Sequence, residues 1–154
     1  MRHIDDIDHK LLALLQDNDR LALAELSKLT GVAASTLNDR IKKLVSDGLI
    51  AGFHARLSSE ELGLHLLAFI LVGWSNPKVE PQFLKKIAAC PAVLECHHIT
   101  GVWNYLLKVR VANTKELEAL LANTIKAVSG VERTETLIAL STSKETWALE
   151  VPGR

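Results

Sequence analysis

The apolar positions of this chain change their period once. Ile7, Leu11, Leu14 and Leu15 recur at i, i+4, i+7 and i+8, a helical stripe opened by Asp5 or Asp6 as its cap. Leu23, Leu26 and Leu29 predict a short second helix ended by Thr30-Gly31. Leu37, Ile41, Leu44 and Val45 predict a third, ended by Asp47-Gly48, where glycine accepts the left-handed conformation that closes helices. Three small helices of this kind pack on one another. From Leu49 to Leu57 the pattern turns extended, and Ser58-Ser59-Glu60-Glu61 reads as a turn or a single helical turn.

Beyond Gly63 short apolar strands alternate with two amphipathic helices. The strands are predicted at His65–Gly73, Val93–Thr100, Tyr105–Ala112 and Val131–Thr142, the helices at Val79–Ala89 and Thr114–Ser129. The second helix opens with Thr114 as cap and buries Leu117, Leu120, Leu121, Ile125 and Val128. Strand, helix, strand, strand, helix, strand is the order of a ferredoxin-like domain. The expected architecture is therefore α+β. A three-helix, winged-helix-like helix-turn-helix domain occupies residues 1–50, a linker strand and turn 51–63, and a ferredoxin-like domain 64–154.

The first strand carries a further implication. Leu64, Leu66, Ala68, Ile70 and Val72 lie on one face, His65, Leu67, Phe69 and Leu71 on the other, so both faces are apolar. Two helices cover one face of a four-stranded sheet. The other needs a partner, most simply the same sheet of a second copy, and the expectation is a homodimer at least.

Composition narrows the chemistry. Across 154 residues, 18 Lys and Arg balance 18 Asp and Glu, so no global field draws the chain to nucleic acid. Any affinity for DNA must come from a local patch. Cys90 and Cys96 form no CxxC pair and suit a reducing compartment such as the cytoplasm. Met1-Arg2-His3 leads into acidic residues unlike a secretory start, and the apolar stretch Leu62–Trp74 is too short to span a bilayer, so a soluble protein without membrane association is expected. In Cys96-His97-His98 only Cys96 and His98 share a strand face, which is too few convergent ligands for a metal site. No catalytic motif and no cofactor-binding motif stands out.

The third helix is the candidate reading element. With its core stripe on Leu37, Ile41, Leu44 and Val45, the opposite side carries Ser35, Thr36, Asp39, Lys42 and Lys43, with Asn38 and Arg40 at the edges. Ser, Thr and Asn can bond base edges or phosphates, Lys and Arg neutralise phosphates, and Asp39 can accept from a cytosine amino group or restrain an Arg. A short helix, a glycine turn and such a helix form a common device for reading the major groove of double-stranded DNA. Residues 1–63 hold eight Lys and Arg against ten Asp and Glu, a net of minus two. Affinity per site should be weak, and several copies must act together.

Ile4-Asp5-Asp6-Ile7-Asp8-His9-Lys10-Leu11-Leu12, the run Gln16–Leu21, the helix-turn-helix and Asp47-Gly48-Leu49-Ile50-Ala51-Gly52-Phe53 resemble the Lrp/AsnC family of feast/famine regulators. Cys90-Pro91-Ala92-Val93-Leu94-Glu95-Cys96 and Thr100-Gly101-Val102-Trp103-Asn104-Tyr105-Leu106-Leu107-Lys108-Val109 are similar to that family's effector domain. The resemblance implies a transcriptional regulator that assembles as dimers, often octamers, and senses a small molecule, usually an amino acid, between subunits. It places Thr100, Gly101, Val102, Trp103, Asn104 and Tyr105 at the effector cleft. The family usually carries Asp where this chain has Asn104, and a Ser or Thr cap where it has Ala22 and Ala33. Trp103 and Tyr105 equally suit a packing role at a subunit interface. Siroheme decarboxylases are similar in architecture and would draw on His97, His98, Arg110 and Trp103, but Trp103-Asn104-Tyr105-Leu106-Leu107 departs from their Tyr-Asn-Leu-Trp-like motif.

Overall fold

The computed structural model describes residues 4–151, so Met1-Arg2-His3 lie outside the described residues. Two compact units emerge. One combines the chain up to Arg56 with the segment from Lys144 onward, and the other is Leu57–Ser143.

The helical unit contains α1 (Asp6–Asp17), α2 (Leu23–Thr30) and α3 (Ala34–Ser46). Asp5 caps α1 in a reciprocal box: the Asp8 N–H donates to Asp5 Oδ1 at 2.8 Å, and the Asp5 N–H to Asp8 Oδ2 at 3.4 Å. Leu11, Leu12, Leu15, Leu26, Leu37 and Leu44 form the core. The expected stripe is narrower than the sequence suggests, because Leu23, Leu29 and Val45 are 37%, 44% and 42% exposed. At 100° per residue Leu23 and Leu29 flank Leu26 on either side, and Val45 is the member of its stripe furthest from Leu37. In α2 only the centre of the apolar arc is buried, and in α3 only the side that carries Leu37 and Leu44.

Two expectations for the connecting and terminal segments are corrected. Residues 51–58 join no ladder among the described residues, so the linker strand is absent, while a hydrogen-bonded turn does form where Ser58 Oγ accepts the Glu61 N–H. The chain from Lys144 onward groups with the helical unit rather than with the second domain. There Gln16 bonds both backbone groups of Leu149, Arg56 donates to the Glu145 carbonyl at 2.9 Å, and Val151 packs on the helical core.

In the second unit β1 (Leu66–Gly73), α4 (Glu80–Ala88), β2 (Val93–His98), β3 (Tyr105–Val111), α5 (Thr114–Leu120) and β4 (Arg133–Ile138) build an antiparallel sheet of order β2-β3-β1-β4. This is the expected ferredoxin-like topology. A 3-10 turn at Pro77–Val79 precedes α4. Asn113, not Thr114, caps α5, its side chain accepting from the Glu116 N–H at 3.0 Å. The second helix is also not uniform: a π turn over Leu121–Ile125 follows α5, with Lys126 N–H bonded to the Leu121 carbonyl at 2.8 Å. Hydrogen bonding over five residues accommodates the five-residue gap between Leu120 and Ile125, both buried.

The two sheet faces differ. Ala68, Ile70 and Val72 of β1 join Tyr105, Leu107 and Val109 of β3 against Phe83, Ile87, Leu117, Ile125 and Val128. On the opposite face Phe69 pairs with Leu137 and Leu71 with Leu106, and neither helix covers them. Leu137 is half exposed. Beside this apolar strip Glu95 bonds Lys108 at 3.0 Å and His97 at 3.1 Å.

Candidate functional site

Chemistry is concentrated in two places, one in each unit. In the helical unit Ser35, Thr36, Asp39, Lys42 and Lys43 are exposed on α3, and Asn38 is half-buried at their edge. The turn before α3 is held by Gly31 at φ +75° and by Thr30, whose hydroxyl donates to the Leu26 carbonyl at 2.7 Å. Ala22 and Ala33 occupy the N-cap positions of α2 and α3 and supply no side-chain acceptor. The missing caps read from the sequence are therefore structural facts.

Arg40 departs from its expected place among phosphate ligands. Its Nη1 bonds Asp5 Oδ2 at 2.7 Å and Asp8 Oδ1 at 2.8 Å, tying α3 to the start of α1. The Asp8 N–H and then this guanidinium hold the Asp5 carboxyl below the usual range. Arg40 thus positions the helix, and among the described residues the cations of this face without an ion pair are Lys42 and Lys43.

The second place is the loop from Thr100 to Tyr105. Thr100, Gly101 and Val102 are exposed, Trp103 and Asn104 half-buried. Gly101 has φ +105°, a conformation that side-chain-bearing residues rarely adopt. The Asn104 N–H donates to the Val72 carbonyl at 2.9 Å, and Asn104 Oδ1 accepts the Trp74 N–H at 2.8 Å. Asn104 is a brace between the loop and the end of β1.

Tyr105 turns inward, away from the expected cleft. Its ring lies between Trp74, Phe83 and His98, with the His98 ring stacked at 4.9 Å, and its hydroxyl donates to Glu80 at 2.7 Å. Burial first, and then the Glu80 carboxylate, push its pKa up to about 12. His97 points to the opposite face with Glu95, so His97 and His98 do not converge. Burial pushes the Cys96 thiol up. Among the described residues no group of three His, Cys, Asp or Glu side chains gathers to hold a metal ion.

The periodicity did not single out the residues that frame this loop. Arg133 crosses Gly73, its strand partner, so closely that an added Cβ would lie 2.6 Å from Nε. Its guanidinium stands 5.2 Å from the Trp103 ring centroid and donates to the Val102 carbonyl. Glu132 accepts from the Ser75 N–H at 3.1 Å and the Ser75 hydroxyl at 2.8 Å, and those bonds lower its pKa. A glycine ending an otherwise apolar strand is the sequence signal for such a crossing.

Residues 4–51 match the family model for winged helix-turn-helix DNA-binding, and residues 67–149 the model for the Lrp/AsnC ligand binding domain. The HTH-type transcriptional regulator FL11 of Pyrococcus furiosus is 38% identical over 148 residues, covering 96% of this chain and 97% of that protein. Among solved structures, E. coli AsnC aligns with a TM-score of 0.91 at 30% identity, covering 97% of this chain and 100% of that one. A Neisseria meningitidis transcriptional regulator in complex with L-Met gives a TM-score of 0.91 at 30% identity, covering 96% of each chain. Among the described residues no helix is long and apolar enough to cross a membrane.

Proposed function

This chain belongs to the Lrp/AsnC family, and on that footing we propose that it is a cytoplasmic transcriptional regulator that binds double-stranded DNA through α3 and responds to a small molecule at the Thr100–Tyr105 loop. The observation that carries this reading is the exposed polar face of α3, presented by a glycine-fixed turn and joined in one chain to a ligand-binding domain. Ser35, Thr36 and Asn38 contact base edges or phosphates, Lys42 and Lys43 neutralise phosphates, and Asp39 accepts from a cytosine amino group. Arg40 holds the helix in place.

A helical unit without net positive charge binds each site weakly, so the active form is oligomeric. The strip of Phe69, Leu71, Leu106 and Leu137 supports a homodimer formed sheet to sheet, the unit from which larger assemblies such as octamers are built. No catalytic role is assigned. The L-Met complex of the Neisseria relative makes amino acids the first effectors to screen.

The test is selection of genomic DNA fragments by the purified full-length protein, with and without pools of small molecules. Enrichment of discrete fragments that shifts with a pool is expected. Equal affinity for its own promoter and for random duplex at physiological salt overturns the reading.

A further inference from the structure

We propose that Gln16 and Arg56 determine which operator geometry is accepted: by clasping the C-terminal segment they make the connection between the two units two-stranded, and so fix the spacing of the half-sites that the oligomer binds. This goes beyond the regulator reading above and rests on it. The chain passes between the units twice, after Arg56 and again after Ser143. On the sheet side the two passages leave from neighbouring strands, because β1 pairs with β4 and the Ala139 N–H donates to the Leu67 carbonyl at 3.0 Å. On the helical side they are joined again, where Arg56 Nη2 donates to the Glu145 carbonyl at 2.9 Å. Only residues 140–144 separate those junctions on the returning passage.

Beyond Glu145 the segment is held on α1, where Gln16 bonds both backbone groups of Leu149 and Val151 packs on the helical core. Gln16 and Arg56 are both exposed, and the Leu149 side chain is 78% exposed, so this clasp can be undone without opening the core. The outgoing passage alone is a poor tether. Residues 51–58 join no ladder among the described residues, and a single backbone strand turns freely about two dihedrals per residue. A second strand fixed at both ends removes that freedom. Two reading helices carried by one oligomer gain from each other only when their half-sites lie at the separation, and on the face of the duplex, that the protein sets; that face recurs about every 10 bp. A loose connection accepts many spacings at a reduced gain, and a constrained one rewards a single spacing. Neither Gln16 nor Arg56 lies on α3, so spacing preference can change while the base-reading face stays as it is.

The experiment measures, by fluorescence anisotropy, binding of the full-length parent and of the double variant Gln16→Ala, Arg56→Ala to the fragment enriched in the selection above. The same proteins are titrated with one isolated half-site and with fragments whose half-sites are moved apart by about half a turn and about one turn, roughly 5 and 10 bp. The expected result is that half a turn costs the parent at least about tenfold and the double variant less than about threefold, with equal affinity for the isolated half-site. Arg56→Lys keeps a donor for the Glu145 carbonyl and should keep the parent's spacing dependence. Faster hydrogen exchange at the Leu149 amide reports that the clasp has opened in the double variant. A double variant that retains the parent's spacing dependence overturns the proposal. So does an equal loss on the isolated half-site, which would make the clasp a support of the reading helix alone. If the parent binds its fragment specifically and is indifferent to spacing, the proposal falls and the regulator reading stands. If the parent enriches no fragment, both fall.

Discussion

Gln16 and Leu149 exchange hydrogen bonds across 133 positions of sequence: Gln16 Nε2 donates to the Leu149 carbonyl at 3.0 Å, and the Leu149 N–H donates to Gln16 Oε1 at 2.7 Å. A primary amide matches a backbone peptide unit donor to acceptor, so one α1 side chain receives the C-terminal segment as a neighbouring strand would. Gln16→Ala removes both bonds and should lower stability by about 1 kcal/mol, read by urea unfolding. Gln16→Glu keeps the acceptor but sets a carboxylate against the Leu149 carbonyl. Faster hydrogen exchange at the Leu149 amide is expected in both variants, and unchanged exchange would show that the segment is held by other contacts.

The Arg40 bridge predicts a pH dependence with a definite sign. The Asp5 carboxyl lies below its ordinary 3.8, so its contribution to stability is complete above that value and is lost as pH falls through the lower folded-state value. Unfolding curves followed from neutral pH into acid should be flatter for Asp5→Asn than for the parent chain. Arg40→Ala should cost about 1 kcal/mol at neutral pH, because it leaves Asp5 and Asp8 facing each other without their cation.

On DNA, Lys42→Ala should weaken binding to every sequence and reduce the salt slope by about one. Asn38→Ala should relax preference at a single operator position with little change in salt slope. Fluorescence anisotropy over a salt series and a set of operator variants separates these outcomes. A uniform loss for Asn38→Ala would reassign it to the phosphates.

The open sheet face predicts assembly through Leu71 and Leu106, which are strand partners. Leu71→Asp places a carboxylate in the apolar strip and should yield a folded monomer by sedimentation velocity, with DNA affinity reduced at least tenfold by the loss of paired binding. A dimer that survives Leu71→Asp would move the interface elsewhere.

Ala22→Ser and Ala33→Ser should each stabilise the helical unit by about 1 kcal/mol by giving α2 and α3 a side-chain acceptor for a first-turn N–H. Thermal unfolding of the single and double variants checks both the sign and the additivity.

Element order was legible in the sequence because burial leaves a local periodic trace, and the stripes of Leu11-Leu15, Ile70-Val72 and Leu107-Val109 are such traces. Pairings between distant polar residues leave none. Nothing local to Arg40 marks it as the partner of Asp5 and Asp8, and its helical phase alone sets it at the edge of an outer face. Arg133 likewise meets Trp103 only because strand register places it against Gly73. Tyr105 and Trp103, close in sequence, part company because β3 begins between them and its pleat turns Tyr105 into the core. Where a cap lay one residue from a plausible alternative, as with Asn113 and Thr114, only backbone geometry distinguished them.

The alanines that open α2 and α3 also have a genetic meaning. Alanine codons differ from those of serine and threonine by a single base, so the present chain stands two base changes from a helical unit about 2 kcal/mol more stable. That margin exceeds the cost of a typical destabilising substitution, about 1 kcal/mol. Altered residues on the outward face of α3, including ones that weaken the fold, could then become fixed in a lineage that first gained either hydroxyl, so the capacity to acquire new operator sequences is tied to two N-cap positions whose side chains now form no hydrogen bond.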